Sequence, residues 1–526
     1  MSIGWRKPAA LIIVLVLTLA CSVSKYDLNR IRQQDEAFNK EVMLSLYDTD
    51  AFGKQSRIAE IYQKYEKLFT DEKLLDFIKN KMEGEKDFRQ KKRDGFLYRD
   101  VSGSFLGEKT KKLDDQVLDL QAKEKVIVGK DTIAFRDIDG MVFNEKNEAR
   151  RKELYYSQGE MTIDKINPLL KQRIDILQNT VKELGYKNYS DYQEQTRGIN
   201  FDSLEIICRE ILEKTAPIYR KLLSEAAKKT LNKKIEDIKV YDRARLFRGE
   251  DFDKYFPKEK MVPTFKSTML DMGIDLSAQK NIHLDDQDRP EKEPRPATYC
   301  IIVPDDIRVL VKPVGGYDDY LSLFHEMGHA EHYACTKTKE YEFRDLGDYG
   351  VTEMFAYIFE DIVSNPIFVK DKLGMTQQDI KEFTEINLLY NLSSLRSYCA
   401  KFIFERQLHS ENPDPIAIYQ QTSKEAQFLS RSRQEAEMIY LLYGDESFYS
   451  VNYLEAWLLD AQLRAKLKEK FGENWFEKKE CGEYLKSLWA TGMEYTSEEM
   501  AKLIGYDKLD VSYLIGNIEE LYNSIK

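Results

Sequence analysis

The chain has 526 residues, 42% hydrophobic and 33% charged, a balance that excludes global disorder and provides material for more than one lobe. Its net charge is −11 and its pI about 5.4, with no basic face evident, which argues against a nucleic-acid partner. Only 13 Pro and 25 Gly interrupt long stretches rich in Leu, Glu and Lys, so the expected fold class is mainly α.

In chain order, Arg6 and Lys7 precede an apolar run over residues 9–20, and Cys21 follows. A basic start, a short apolar centre and a small residue before the cut site predict export, with a signal peptide over 1–20. The run is too short for a comfortable membrane span. Leu19-Ala20-Cys21 resembles the end of a bacterial lipobox, although Thr18 stands where that motif usually has Leu. The resemblance implies a lipid at Cys21, anchoring at the cell envelope, and no other membrane contact. Residues 22–35 are polar and are expected to give the anchored chain slack. Cys208, Cys300, Cys335, Cys399 and Cys481 are too widely spaced for a metal knuckle or a dense disulfide framework. They read as buried thiols.

Residues 26–92 read as charged helices, with Leu74, Leu75, Phe77, Ile78 and Met82 forming one apolar stripe. Residues 94–144 read as less regular, with a short hairpin flanking Gly129. Helical periodicity returns near Glu148 and runs to Leu184, where Gly185 stops it; another helix covers about 204–229. Ile301-Ile302-Val303 and Arg308-Val309-Leu310-Val311 then predict two antiparallel strands joined through Pro304-Asp305-Asp306. Gly315-Gly316 ends the second strand, and Asp318 or Asp319 is the expected cap of the next helix. Helices are expected from there onward, at about 319–335, 349–364, 376–409, 415–442, 447–470, 474–491 and 510–525.

The first of these helices carries His325-Glu326-Met327-Gly328-His329. One helical turn puts His325 and His329 on the same face, where both imidazoles can hold one ion. Glu326 lies beside that face and can act as general base toward a water in the ion's open position. Catalytic zinc takes three protein ligands, and two His with one Glu is a known set. The next helix offers Glu353 as third ligand. Glu360, two turns further along the same face, is placed to hydrogen-bond a ligand imidazole.

The run from His325 to His332 resembles the His-Glu-x-Gly-His-Ala-x-His signature of the thimet oligopeptidase and oligoendopeptidase F family. Val351-Thr352-Glu353 with Phe359-Glu360 is similar to that family's Glu helix. Arg295-Pro296-Ala297-Thr298-Tyr299-Cys300 resembles its active-site edge strand. Gly185-Tyr186-Lys187-Asn188-Tyr189 and the C-terminal Gly472, Trp475, Leu485, Gly492 and Gly505 extend the likeness over roughly 150–526. The resemblance implies one Zn2+ ion, a deep cleft between two helical lobes, and hydrolysis of short unstructured peptides. The expected division is an N-terminal lobe over 21–200 and a catalytic lobe over 201–526, with the β element beside the zinc helix. It also implies tyrosines that stabilise the oxyanion, and Tyr449 and Tyr453, one turn apart, match them. Ser447 stands where relatives place a His, and His409 is too far along the chain to replace it by simple register. His332 reads as a structural or cleft-wall residue. The His-Glu-Met-Gly-His core also occurs in the angiotensin-converting-enzyme family. A peptidyl-dipeptidase or carboxypeptidase of that type therefore stays open, as does a surface lipoprotein that binds peptides without cutting them.

Overall fold

A computed structural model describes residues 26–410 and 414–526. The expected signal peptide and Cys21 lie outside the described residues. Most of the expected slack is helical: α1 (Leu28–Phe52) starts where Asp27 accepts from the Arg30 N–H.

The fold is mainly α, with two small sheets. The stretch read as less regular proves largely helical, because α2 (Phe88–Lys123) runs straight through Gly95, Gly103 and Gly107. A glycine costs a helix about 1 kcal/mol. Phe96, Leu97, Val101, Phe105 and Leu106 are buried along α2, and each burial contributes about 1.5–3 kcal/mol, so packing wins. The expected hairpin follows as β1 (Lys125–Val128) and β2 (Asp131–Ala134), turning at Gly129 with φ 62°. Further helices follow as far as Arg197, and then α3 (Phe201–Ala226), capped by Asn200.

The second sheet has three strands, one more than expected: β3 (Ile282–Asp285), β4 (Ala297–Ile302) and β5 (Asp306–Leu310). The expected antiparallel pair is β4–β5, while β3 adds in parallel on the far side of β5. This leaves β4 at the sheet edge. Its Thr298 hydroxyl donates to the carbonyl of Glu326 at 2.8 Å, which fixes the sheet beside α4 (Tyr317–Cys335). Neither expected aspartate caps α4. Gly316 takes the cap position, and the Asp319 carboxylate turns back to accept from the N–H groups of Val314 and Gly315.

The helices α5 (Tyr349–Ser364) and α6 (Gln377–Leu408) match their expected spans to within a residue. The helix expected over 415–442 breaks at Phe428, whose φ of 53° lies outside the helical region. Ser447 and Phe448, with φ of 53° and 61°, likewise delay α7 (Ser450–Phe471).

Two large apolar cores organise these elements. One gathers side chains of α1, α2 and α3 with Leu388, Leu392 and Leu395 of α6. The other gathers α4, α5, the three-stranded sheet and the C-terminal helices around Trp489. The first core runs across residue 200 without a break in packing, holding Tyr192, Phe201 and Leu204 together. α7 feeds both cores, with Leu454 and Leu458 in the first and Leu459 and Leu463 in the second. The tyrosine-bearing start of α7 therefore sits where the two cores meet.

A close helix contact lies at Gly328. A Cβ there would lie 2.5 Å from the Phe355 carbonyl oxygen and 2.7 Å from the Ala356 Cα, so α5 approaches α4 to a distance that only glycine permits. Gly328→Ala is expected to destabilise the fold by about 1–3 kcal/mol through overpacking. Gly103→Ala, whose added Cβ meets nothing within 4 Å, is expected to stabilise by about 0.5–1 kcal/mol. Denaturant unfolding of both variants checks the pair, and equal stabilities would contradict the contact.

Candidate metal centre

His325 and His329 project from one face of α4, their ring centroids 5.0 Å apart and their planes nearly perpendicular. Both rings are tied from behind by α5. Nδ1 of His325 lies 3.0 Å from Glu360 Oε2, and Nδ1 of His329 lies 2.9 Å from the Thr352 hydroxyl. Each ring is thereby oriented with Nε2 toward the same point. Glu353 Oε2 lies 3.6 Å from His325 Nε2 and 3.7 Å from His329 Nε2. One ligand atom from each of the three residues fits within a span of 4.8 Å.

The donor set fits a zinc ion. Two imidazole nitrogens and one carboxylate oxygen converge, and each remaining imidazole nitrogen already has a polar partner on α5. Glu353 is 4% exposed, and its Oε2 has no hydrogen-bond partner among the described residues. Its other oxygen, Oε1, accepts from the Tyr449 hydroxyl at 2.8 Å. The carboxylate is thus held at one oxygen and open at the other, toward the two histidines.

Electrostatics separates the two rings. Burial works against charge on His325, but the hydrogen bond and charge of Glu360, with Glu353 and Glu326, outweigh it and hold its pKa near 9. Burial, with His325 and His332 nearby, keeps His329 well below the usual histidine range, hence neutral. Burial raises the Glu353 pKa against the opposing pull of His325. For Tyr449 and Tyr453, burial and the Glu353 charge push the phenols up, so both remain proton donors at neutral pH.

Glu326, His329, Glu353 and Tyr449 line one cavity of about 450 Å3, bordered by residues 296–300 entering and forming β4. The peptide-facing edge expected at 301–303 borders an adjoining cavity of about 290 Å3. α1 supplies Asn39, Met43 and Asp50 to the metal-side wall, and Asp50 accepts from the Tyr299 hydroxyl at 2.6 Å. Tyr453 packs between Tyr449 and Tyr398, with centroids at 5.0 and 4.8 Å. All seven predicted site residues are brought into one neighbourhood.

His332 points elsewhere: it is fully buried, and its Nε2 donates to the Gly492 carbonyl at 3.1 Å. That agrees with a structural role.

Three residues that sequence reasoning missed complete the frame. Thr352 orients His329, but a threonine beside a glutamate carries no spacing signal. Glu405 of α6 holds the turn before α7: its Oε1 accepts from the N–H groups of Glu446 and Phe448 at 2.6 and 2.8 Å, and its Oε2 from the Ser450 hydroxyl at 2.9 Å. His409 packs its ring 5.6 Å from Phe448 and pairs with Asp445 at 3.1 Å. The histidine judged too remote in the chain is therefore against this turn, though fully buried.

The chain matches no protein-family model and no curated protein.

Removal of each tie has a distinct expected effect on zinc affinity. Glu360→Ala and Thr352→Val should each weaken binding by roughly 10- to 100-fold. Glu353→Ala should weaken it well beyond that range, because an ion ligand itself is lost. Competitive metal titration reads all three; small, equal losses would place the third ligand elsewhere.

Proposed function

We propose that this chain is a zinc-dependent metallopeptidase that hydrolyses short, unstructured peptides. The observation that carries the reading is the convergence of His325 Nε2, His329 Nε2 and the open oxygen of Glu353, with Glu326, His329 and Glu353 lining one cavity. His325, His329 and Glu353 would hold the ion. Bound zinc supplies a Lewis acid for the scissile carbonyl and for water. Glu326 accepts the proton of the attacking water and returns it to the leaving amine. Tyr453 donates to the oxyanion, while Tyr449, through its bond to Glu353, also steadies the ligand. The free edge of β4, beside the cavity, offers main-chain groups for pairing with an extended peptide, which makes recognition tolerant of sequence.

The proposal includes export and a lipid anchor at Cys21. No helix among the described residues is long and apolar enough to cross a membrane. Cys21→Ala should move the protein from the membrane fraction to the soluble fraction, with peptide cleavage by the purified chain unchanged. Retention in the membrane fraction would point to an uncleaved anchor instead.

Glu326→Gln tests the chemistry. The variant should keep its fold and its zinc while turnover falls by about 10²- to 10⁴-fold, since only proton transfer is removed. Metal analysis beside a peptide-cleavage assay gives both readouts, and near-normal turnover would sink the reading.

A further inference from the structure

A cavity of about 340 Å3 adjoins the metal cluster, walled by α5, α6, α7 and a further helix, α8 (Val511–Ser524). Glu360 and Tyr357 of α5 form part of its lining. Both also touch His325, Glu360 through its hydrogen bond and Tyr357 with its ring centroid at 5.6 Å. The cavity shares no lining residue with the metal-side cavity and is a separate site.

Acids outnumber cations in the lining. Glu360, Asp361, Asp460, Glu473 and Glu520 border the cavity, with only Arg464 and Lys468 against them. Lys468 pairs with Glu473 at 3.0 Å. Arg464 serves two acids at once, Asp361 from Nε at 2.7 Å and Asp460 from Nη2 at 2.9 Å. The exposed Glu520 has no ion pair among the described residues. Asp460 is 3% exposed, and its Oδ1 has no hydrogen-bond partner among the described residues. Burial raises the pKa of both Asp361 and Asp460 against the pull of Arg464, and for Asp460 the charge of Asp361 adds to the rise. One guanidinium between two buried carboxyls leaves a place for a second positive charge.

The walls do not suit a bare metal ion. Among the described residues, only His325, His329 and Glu353 bring three ligand atoms within 4.8 Å of one another, so the acids here are spread too widely to enclose one. Tyr357, Trp457 and Trp475 instead supply ring surface, and ring faces attract organic cations. Trp457 packs on Tyr357 at 5.6 Å, and its Nε1 is buried with no acceptor among the described residues. The wall thus offers an unmatched acceptor on Asp460 and an unmatched donor on Trp457. The volume is in the range of pockets that take a small organic ligand.

We propose that this cavity binds a small organic cation that also carries an oxygen acceptor, of the class of a free basic amino acid. Its cationic group meets the open oxygen of Asp460, the rings cover its stem, and Trp457 Nε1 donates to its carboxylate. Glu360 and Tyr357 touch both the cavity and His325, so occupancy is linked to the metal. A cation beside Glu360 weakens the hold of Glu360 on His325, and zinc and the ligand each lower the other's affinity by the same factor. The site stands apart from the peptidase reading, and only the linkage rests on the metal assignment within it.

The test titrates the full chain with L-arginine and L-citrulline, which match in shape and differ in charge, read by calorimetry and tryptophan fluorescence. Arginine should bind at least about tenfold more tightly than citrulline, and Asp460→Asn should remove most of that difference. Glu520→Gln, an exposed change that leaves the fold intact, should weaken arginine by about two- to fivefold. Trp457→Phe keeps the ring surface and removes the donor, so it should weaken arginine more than agmatine, which lacks the carboxylate. Equal binding of arginine and citrulline, or no binding of arginine, overturns the inference. Selectivity unchanged in both Glu520→Gln and a folded Asp460→Asn chain overturns the assignment to this cavity. Displacement of arginine by calcium chloride identifies an inorganic cation as the occupant and overturns it too. Competitive zinc titration in the presence of arginine or of citrulline, which chelates free zinc equally, reads the linkage. A several-fold lower zinc affinity with arginine is expected, and equal affinities overturn the linkage.

Discussion

The backbone contact at Gly328 sets the geometry of the candidate metal cluster. Because α5 passes so close to α4, three α5 side chains reach the two histidines without long or flexible connections. Thr352 and Glu360 tie the two Nδ1 atoms, and Glu353 faces the two Nε2 atoms. Rotation of either ring breaks a hydrogen bond on its far side. The cluster is thus pre-organised by a pair of rigid helices, the arrangement that holds ligands most accurately. The sheet adds a third restraint, since Thr298 of β4 grips the carbonyl of Glu326.

A second frame positions the tyrosines. Ser447 and Phe448 have positive φ values that a helix cannot continue through. Glu405 stabilises this turn by accepting two backbone N–H groups and one hydroxyl, so it replaces hydrogen bonds that a regular helix would provide. Burial and the neighbouring Asp445 raise the Glu405 pKa to about 8 in spite of those bonds. His409 and Phe201 close on Phe448 from the sides. The turn ends with Tyr449 against Glu353, which links this frame to the first.

The legible part of the site was local in sequence. His325 and His329 are one turn apart and Glu353 and Glu360 two turns apart, and a short connection, which the structure shows to contain a helical turn at Tyr341–Asp345, joins their helices, so spacing places all four on facing surfaces. Helix periodicity also located α5 and α6 well, since both bury broad apolar faces. Long-range pairings were not legible. Glu405 acts on a turn some forty residues away, and Arg243 and Arg431 come to one cavity from distant segments. β3 is a four-residue parallel strand whose partner lies beyond another strand in the chain, too short to show a period. In α2, three glycines masked a helix that tertiary burial sustains. The lobe boundary at residue 200 came with the resemblance, and side chains from both sides of it share one core.

The two frames leave polar groups in places where a fold selected for stability alone would not. Glu353 keeps a buried oxygen without a hydrogen-bond donor, and Arg243 a buried N–H without an acceptor. Each such group costs roughly 1–3 kcal/mol, more where charge is involved. A lysine near Glu353 or an aspartate beside Arg243 would remove the cost and also fill the site. Keeping these groups unmatched makes binding and stability interdependent, since a ligand of complementary charge recovers what folding alone does not. The unmatched charges have opposite signs. The metal-side cavity presents Asp50, Asp100, Glu293 and Asp345 with Arg295 as its cation, whereas a second cavity presents Arg243, Arg431 and Lys401 with Asp139 as its acid. The net charge of −11 hides this division, because it averages 80 cations against 91 acids.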